Sequence, residues 1–202
     1  MFVDKKVGQL TRKYETSNGG PGYISNGEAW GDPGGTSYGS YQLESKLGTL
    51  QAYLQTDDKY TRALKTLKIN SQEFKNKWRE LASNDPDGFE TSQFNYLANK
   101  PNGYVDAYNW AKARGWAIYD LGLQSAIYST VNQSGRWRDG IFSKAGIVED
   151  DSIETQVNKL YDARARYFKS LKSLTPEIKN NIIKQRTVLE RKDALKLIDK
   201  LN

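Results

Sequence analysis

The sequence predicts a mainly α-helical fold, interrupted near residues 17–39 by a glycine-rich segment that is irregular or holds short β-strands. Three observations predict it. Over most of the chain, apolar residues recur at steps of three and four, the spacing that gathers them on one face of a helix. In one interval that spacing is lost: Gly19-Gly20-Pro21-Gly22, Gly27, Gly31-Asp32-Pro33-Gly34-Gly35 and Gly39 follow one another too closely for a helix to persist. Finally, 202 residues that are 37% hydrophobic and 12% aromatic suffice for one domain with a buried core, even at a mean hydropathy of −0.77.

Residues 5–16 read as a short helix on Val7, Leu10 and Tyr14. Beyond the glycine-rich interval the helical pattern resumes at Tyr41 and runs through Leu43, Leu47, Leu50 and Leu54. Residues 57–68 follow with Tyr60, Leu64 and Leu67, and residues 71–82 with Phe74, Trp78 and Leu81 behind Ser71, a suitable N-cap. Asn84-Asp85-Pro86 breaks the pattern, and Pro86 suits the first turn of the next helix, on Phe89, Phe94 and Leu97. After Lys100-Pro101-Asn102-Gly103, the apolar stretch 104–131 contains Gly115 and Gly122 and reads as one central helix or two. Residues 136–146 form a short helix ending near Gly146. Residues 152–171 carry one amphipathic stripe: Ile153, Val157, Leu160, Tyr161, Arg164, Tyr167, Phe168 and Leu171. Thr175-Pro176-Glu177 opens a last helical stretch over 177–201. The expected organisation is a single domain over 1–202, with 152–202 as C-terminal helices packed on it or extending it.

The chain has no Cys and no His. Disulfides, thiol nucleophiles, Ser-His-Asp triads and histidine-bound zinc are therefore excluded. Acid–base chemistry here must come from Asp, Glu, Lys or Tyr. The net charge of +6 favours anionic partners. The last fifty residues are rich in Lys and Arg, but no nucleic-acid motif accompanies them, and they read as solvated helix faces. The opening MFVDKKVGQL has no apolar core of a secretory leader, and no run approaches the ~18 apolar residues a membrane helix needs.

One stretch stands out for chemistry. From Lys13 to Ser45 it carries four carboxylates, Glu15, Glu28, Asp32 and Glu44, among its glycines and aromatics. Glu15 falls where the first helix ends, and burial there would raise its pKa toward that of a general acid. Asp32 and Glu44 lie on the far side of the loop, where they would face Glu15 across a groove, as the carboxylate pair of a glycosidase does. The plainer reading makes Glu15 an ion-paired helix-end residue, Asp32 a turn residue before Pro33, and Glu44 a helix-start acid.

Tyr14-Glu15-Thr16, Trp30-Gly31-Asp32 and GDPGGTSYGSYQL at 31–43 resemble the active-site region of lysozyme-like glycoside hydrolases, above all goose-type lysozymes, lytic transglycosylases and bacteriophage lysins. LGLQSAIYSTVNQSG at 121–135 resembles a second segment of the phage domains, with Tyr128 and Ser134 where those have Trp and His. The resemblance implies a two-lobed lysozyme-like fold and a peptidoglycan muramidase of endolysin type. A lytic transglycosylase or a chitosanase-like glycosidase is the alternative, and a basic nucleic-acid-binding or structural module a further one. It implies Glu15, Asp32 and Glu44 as catalytic residues, with Ser37, Tyr38, Tyr41, Gln42, Gln133 and Arg136 binding substrate. It further implies a monomer without cofactor, metal, nucleic-acid partner or membrane span, acting on glycan strands. Holin-type release from a host cytoplasm to the wall, or attachment to a virion, would bring it there.

Overall fold

The computed structural model describes residues 3–27, 34–135 and 137–198. It is mainly helical, as the periodicity requires, and it divides into two compact units. One, here the hairpin unit, is Glu15–Leu97; the other, the helical unit, combines Met1–Tyr14 with Ala98–Asn202.

A 3₁₀ turn at Lys5–Gly8, capped by the Asp4 side chain on Lys6 N at 2.9 Å, leads into α1, Gln9–Thr16. The chain leaves that helix through Ser17 and Asn18, both left-handed at φ 50 and 65. Gly19 N then closes onto Thr16, donating to its carbonyl at 2.9 Å and its hydroxyl at 3.0 Å.

In the hairpin unit, β1 (Ser37–Tyr38) pairs antiparallel with β2 (Leu43–Glu44), placing Ser37 opposite Glu44 and Tyr38 opposite Leu43. The helix expected from Tyr41 therefore begins only at Thr49, as α2 (Thr49–Leu54). Two left-handed residues, Gln42 at φ 57 and Gly48 at φ 89, turn the chain before it. α3 is Lys59–Leu64, opened by a capping box in which Asp58 and Thr61 satisfy each other's backbone N–H groups. α4, Gln72–Asn84, starts at the Ser71 cap, whose Oγ accepts from Phe74 N at 3.1 Å. α5, Pro86–Asn99, starts at Pro86. The core of this unit is aromatic: Trp78 meets Phe89 edge-on at 4.7 Å, Tyr38 at 5.1 Å and Tyr53 at 6.2 Å between ring centroids.

In the helical unit the 104–131 stretch is two helices, α6 (Tyr104–Lys112) and α7 (Leu121–Gln133). Gly115, left-handed at φ 71, ends the first, and Asp120 caps the second by accepting from Leu123 N at 3.0 Å. α7 is buried on nearly every side, from Gly122 to Val131. It packs against α6 and against α9 (Ile153–Ser170) and α11 (Glu190–Lys196). A Cβ on Gly122 would lie 2.6 Å from the Ala194 carbonyl oxygen, so the missing side chain is what lets α11 approach. α8 (Trp137–Gly140) and a 3₁₀ turn at Phe142–Lys144 close a second aromatic cluster of Trp110, Trp116, Trp137 and Phe142. α10 (Pro176–Ile182) continues through a π-helical stretch, Ile183–Leu189, into α11. Among the described residues no helix is long and apolar enough to cross a membrane.

Candidate functional site

The sequence concentrates its candidate chemistry on the hairpin, and local packing explains how that hairpin is shaped. Ser25 brackets Ser37: its N donates to Ser37 O and its Oγ accepts from Ser37 N, both at 2.9 Å. Gly39 N donates to Tyr23 O at 2.8 Å, and Ile24 bridges to Tyr38. The turn of the hairpin is then held from α5. Ser40 Oγ donates to Glu90 Oε1 at 2.5 Å, and Ser40 N donates to Gln93 Oε1 at 3.1 Å. Gln93 Nε2 and Trp78 Nε1 both donate to Pro21 O, at 3.1 and 2.8 Å. Ser40, Glu90 and Gln93 are all buried, so each of these bonds replaces water that the groups would otherwise lose.

Seven of the nine candidate site residues fall within the hairpin unit, and six of these are among the described residues. Tyr38 is 0% exposed; its ring packs on Phe74 and Trp78 and its hydroxyl donates to Asn70 Oδ1 at 2.8 Å. Tyr41 is buried beside Phe94, and Ser37 is buried under Ser25. These three side chains fill the hairpin's interior and turn no ring face outward. Gln42 is half-buried and its Nε2 donates to Gly39 O at 3.4 Å. Glu44 is half-buried, with its backbone N bound to Thr49 Oγ1 at 2.7 Å. Glu15 is half-buried in the last turn of α1. Asp32 and Arg136, together with Glu28, lie outside the described residues.

Gln133 lies in the helical unit, in a buried charged cluster that the sequence reading did not anticipate. Its Oε1 accepts from Arg164 Nε at 3.0 Å and Nη2 at 2.6 Å. Arg164 and Glu190 are both fully buried and paired at 2.8 Å. Arg186 Nε completes the pairing on the other carboxylate oxygen at 2.6 Å. Ser129 Oγ accepts from both guanidiniums at 3.1 Å, and Tyr161 OH donates to Glu190 at 2.9 Å. Burial alone would raise the Glu190 carboxyl, but Arg164 and Arg186 outweigh it and hold it below the usual carboxylate range. The signal that was present is Arg164 itself, a cation in register with an apolar stripe. Such a residue is buried only where a carboxylate meets it.

Two concavities also belong to the helical unit. A cavity of about 920 Å³ is floored by Trp110, Trp116 and Phe142. The Arg114 guanidinium lies 3.7 Å from the Trp110 ring centre. Among the described lining residues, Asp106 and Asp139 balance Arg114 and Arg138, so these four give no net preference for either sign of charge. A narrower groove of about 350 Å³ runs past Lys6, Lys13 and Lys196. Among the described residues no group of three His, Cys, Asp or Glu side chains could hold a metal ion.

Comparison with known proteins gives a direction that the hairpin motif did not. The family described as "Type VI secretion system spike protein VgrG3-like, C-terminal" matches residues 7–191. The type VI secretion system spike protein VgrG3 of Vibrio cholerae serotype O1 is 32% identical over 205 residues, covering 95% of this chain. The chain spans 19% of the length of that relative. Both matches point to a secretion-spike region and neither names a glycosidase. They overturn the resemblance to lysozyme-like glycoside hydrolases of phage lysin type, and with it the enzyme assignment and the muramidase reaction with its transglycosylase and chitosanase variants. The glycan strand as partner and the holin or virion route are overturned too. The physical reason lies in the motif. Within GDPGGTSYGSYQL, Tyr38, Gly39, Ser40 and Tyr41 are accounted for by turn geometry and core packing. A short motif set by packing reports a local fold, not a reaction. The chain belongs to the family of C-terminal regions of VgrG3-like type VI secretion system spike proteins.

Proposed function

We propose that this chain is a folded module borne by a type VI secretion spike, an effector-type C-terminal cargo exported with it. One observation carries the reading: the family match runs from residue 7 to 191, nearly the whole chain, whereas the relative is matched over only 19% of its length. The similarity thus isolates one module of a much longer spike protein. The two units support this reading, because each has an apolar core of its own, and a module that buries its own core can be joined to a carrier without depending on it to fold. Localisation follows as association with the secretion apparatus.

Within this proposal the accessible polar groups of the hairpin unit, Glu15, Gln42 and Glu44, contact what the module meets after export. Ser37, Tyr38 and Tyr41 keep the hairpin in shape behind them. Gln133 serves the buried cluster, and Asp32 and Arg136 remain candidates on sequence grounds. The test follows an epitope-tagged protein in a strain with an active type VI apparatus. Export is expected, and its loss is expected when the apparatus is deleted; equal release from both strains overturns the proposal. Glu15→Gln with Glu44→Gln is expected to leave export intact and to abolish the growth deficit of recipient cells. A double variant that keeps the full deficit removes these two residues from the functional surface.

A further inference from the structure

We propose that the helical unit holds a binding site for a single-chain anionic amphiphile, a fatty carboxylate in its simplest form, in the groove between Lys6, Lys13 and Lys196. The groove is formed by the N-terminal 3₁₀ turn and α1 on one side, the start of α7 below, and α11 on the other side. Leu10, Leu121 and Leu197 contribute its apolar surface. Its volume of about 350 Å³ falls in the range of ~300–1,000 Å³ usual for small-molecule sites.

Charge decides what fits. Among the described residues Asp193 is the only carboxylate lining the groove, and its oxygens already receive Lys13 Nζ at 2.5 Å, Tyr14 OH at 2.8 Å and Lys196 Nζ at 2.8 Å. Its partners Lys13, Lys196 and Tyr14 hold that carboxyl well below the usual range, so it stays ionised and keeps both ammonium groups at the rim. The Lys6 ammonium meets no carboxylate among the described residues. Among the described lining residues, three cations against one anion leave an excess of two positive charges over a leucine surface. A small hydrophilic anion would leave the leucines wet, and a neutral alkane would leave the ammonium groups without a partner. An alkyl chain ending in one anionic group satisfies both. The surface is concave, so a chain must enter it; a bilayer, which presents headgroups, would meet only the rim. The larger cavity by Trp110 has, among its described lining residues, two arginines offset by two aspartates, and these make no such demand.

The test is an NMR amide titration of the full chain with decanoate, alongside acetate and decanol. Saturable shifts confined to the residues around Lys6, Leu10, Lys13, Leu121 and Leu197 are expected with decanoate. Acetate and decanol are expected to bind at least about tenfold more weakly, since each lacks one half of the recognition. Lys6→Gln should weaken decanoate about tenfold while leaving the rest of the spectrum unchanged, and Lys6→Arg should restore it. Decanol binding as tightly as decanoate, an unaffected Lys6→Gln, shifts centred elsewhere, or no saturation overturns the proposal. So does binding to phosphatidylglycerol vesicles without binding to decanoate, which would make the groove part of a membrane-facing surface.

Discussion

A methyl group on Gly39 would lie 2.1 Å from Gln93 Oε1, on a backbone already at φ 77. Gln93 cannot retreat, because the same amide receives Ser40 N and donates to Pro21 O. Gly39→Ala is therefore expected to cost about 2–4 kcal/mol, strain and clash together, read as a lower urea midpoint with an unchanged slope. Gly135→Ala is the matched control, since no described residue beyond its chain neighbours lies within 4 Å of its would-be Cβ, and it should be nearly neutral. The second decisive residue is Glu190. Its replacement by Gln leaves Arg164 and Arg186 buried without their countercharge. The expected loss is about 3–5 kcal/mol, measured by the same denaturation. Neither position announces itself in the sequence: the clash partner of Gly39 is 54 residues away, as Gly39 and Gln93 are numbered, and Arg164 and Glu190 sit on different helices.

Helices were legible where a cap and a stripe agree. Ser71 before α4, Pro86 at the start of α5 and Thr175-Pro176 before α10 mark starts, and the structure has them there. The helix expected from Tyr41 was misplaced because the two-residue pairing of Ser37-Tyr38 with Leu43-Glu44 wins over the local apolar spacing. The π-helical stretch was not legible at all. Apolar spacing reports which face is buried, not whether a turn holds one extra residue. Through Ile183–Leu189 Arg186 and Thr187 are buried, and Arg186 Nε reaches Glu190 four residues on, at 2.6 Å. Deleting Val188, an exposed residue of this stretch, should convert it to α-helix and leave Arg186 and Glu190 three residues apart, still on one face but shifted against Arg164 and Ser129 of the neighbouring helices. The expected loss is smaller than that of Glu190→Gln, about 1–3 kcal/mol for misaligned buried hydrogen bonds, with helix content by circular dichroism nearly unchanged at low temperature.

For the whole molecule, the buried cluster and the exposed pairs set the response to acid. The Glu190 carboxyl lies lower in the folded chain than in the unfolded one. Its stabilising contribution is thus complete above the unfolded value, about 4.3, and is lost as pH falls through the folded value. Asp85, lowered to about 2 by Lys59, Tyr60 and Gly88 N, acts in the same direction from an exposed position. Thermal midpoints are expected to hold between about pH 7 and 5 and to fall steadily below about 4.3. Glu190→Gln should start lower and show a shallower acid slope; an unchanged slope would remove Glu190 as the source.

The sequence by itself determined the helical class, the glycine-rich interruption, most helix starts and the absence of thiol and imidazole chemistry, because these depend on residue type and near-neighbour spacing alone. It also offered a hairpin motif whose residues read as a reacting centre. Only the tertiary structure decided that Tyr38 and Tyr41 face inward, that Ser40 and Gly39 are held by α5, and that Arg164, Arg186 and Glu190 neutralise one another in the core. Burial is a property of what the rest of the chain brings into contact. The same tyrosine is a ligand platform at the surface and a core plug beneath it, and no local pattern of residues distinguishes the two.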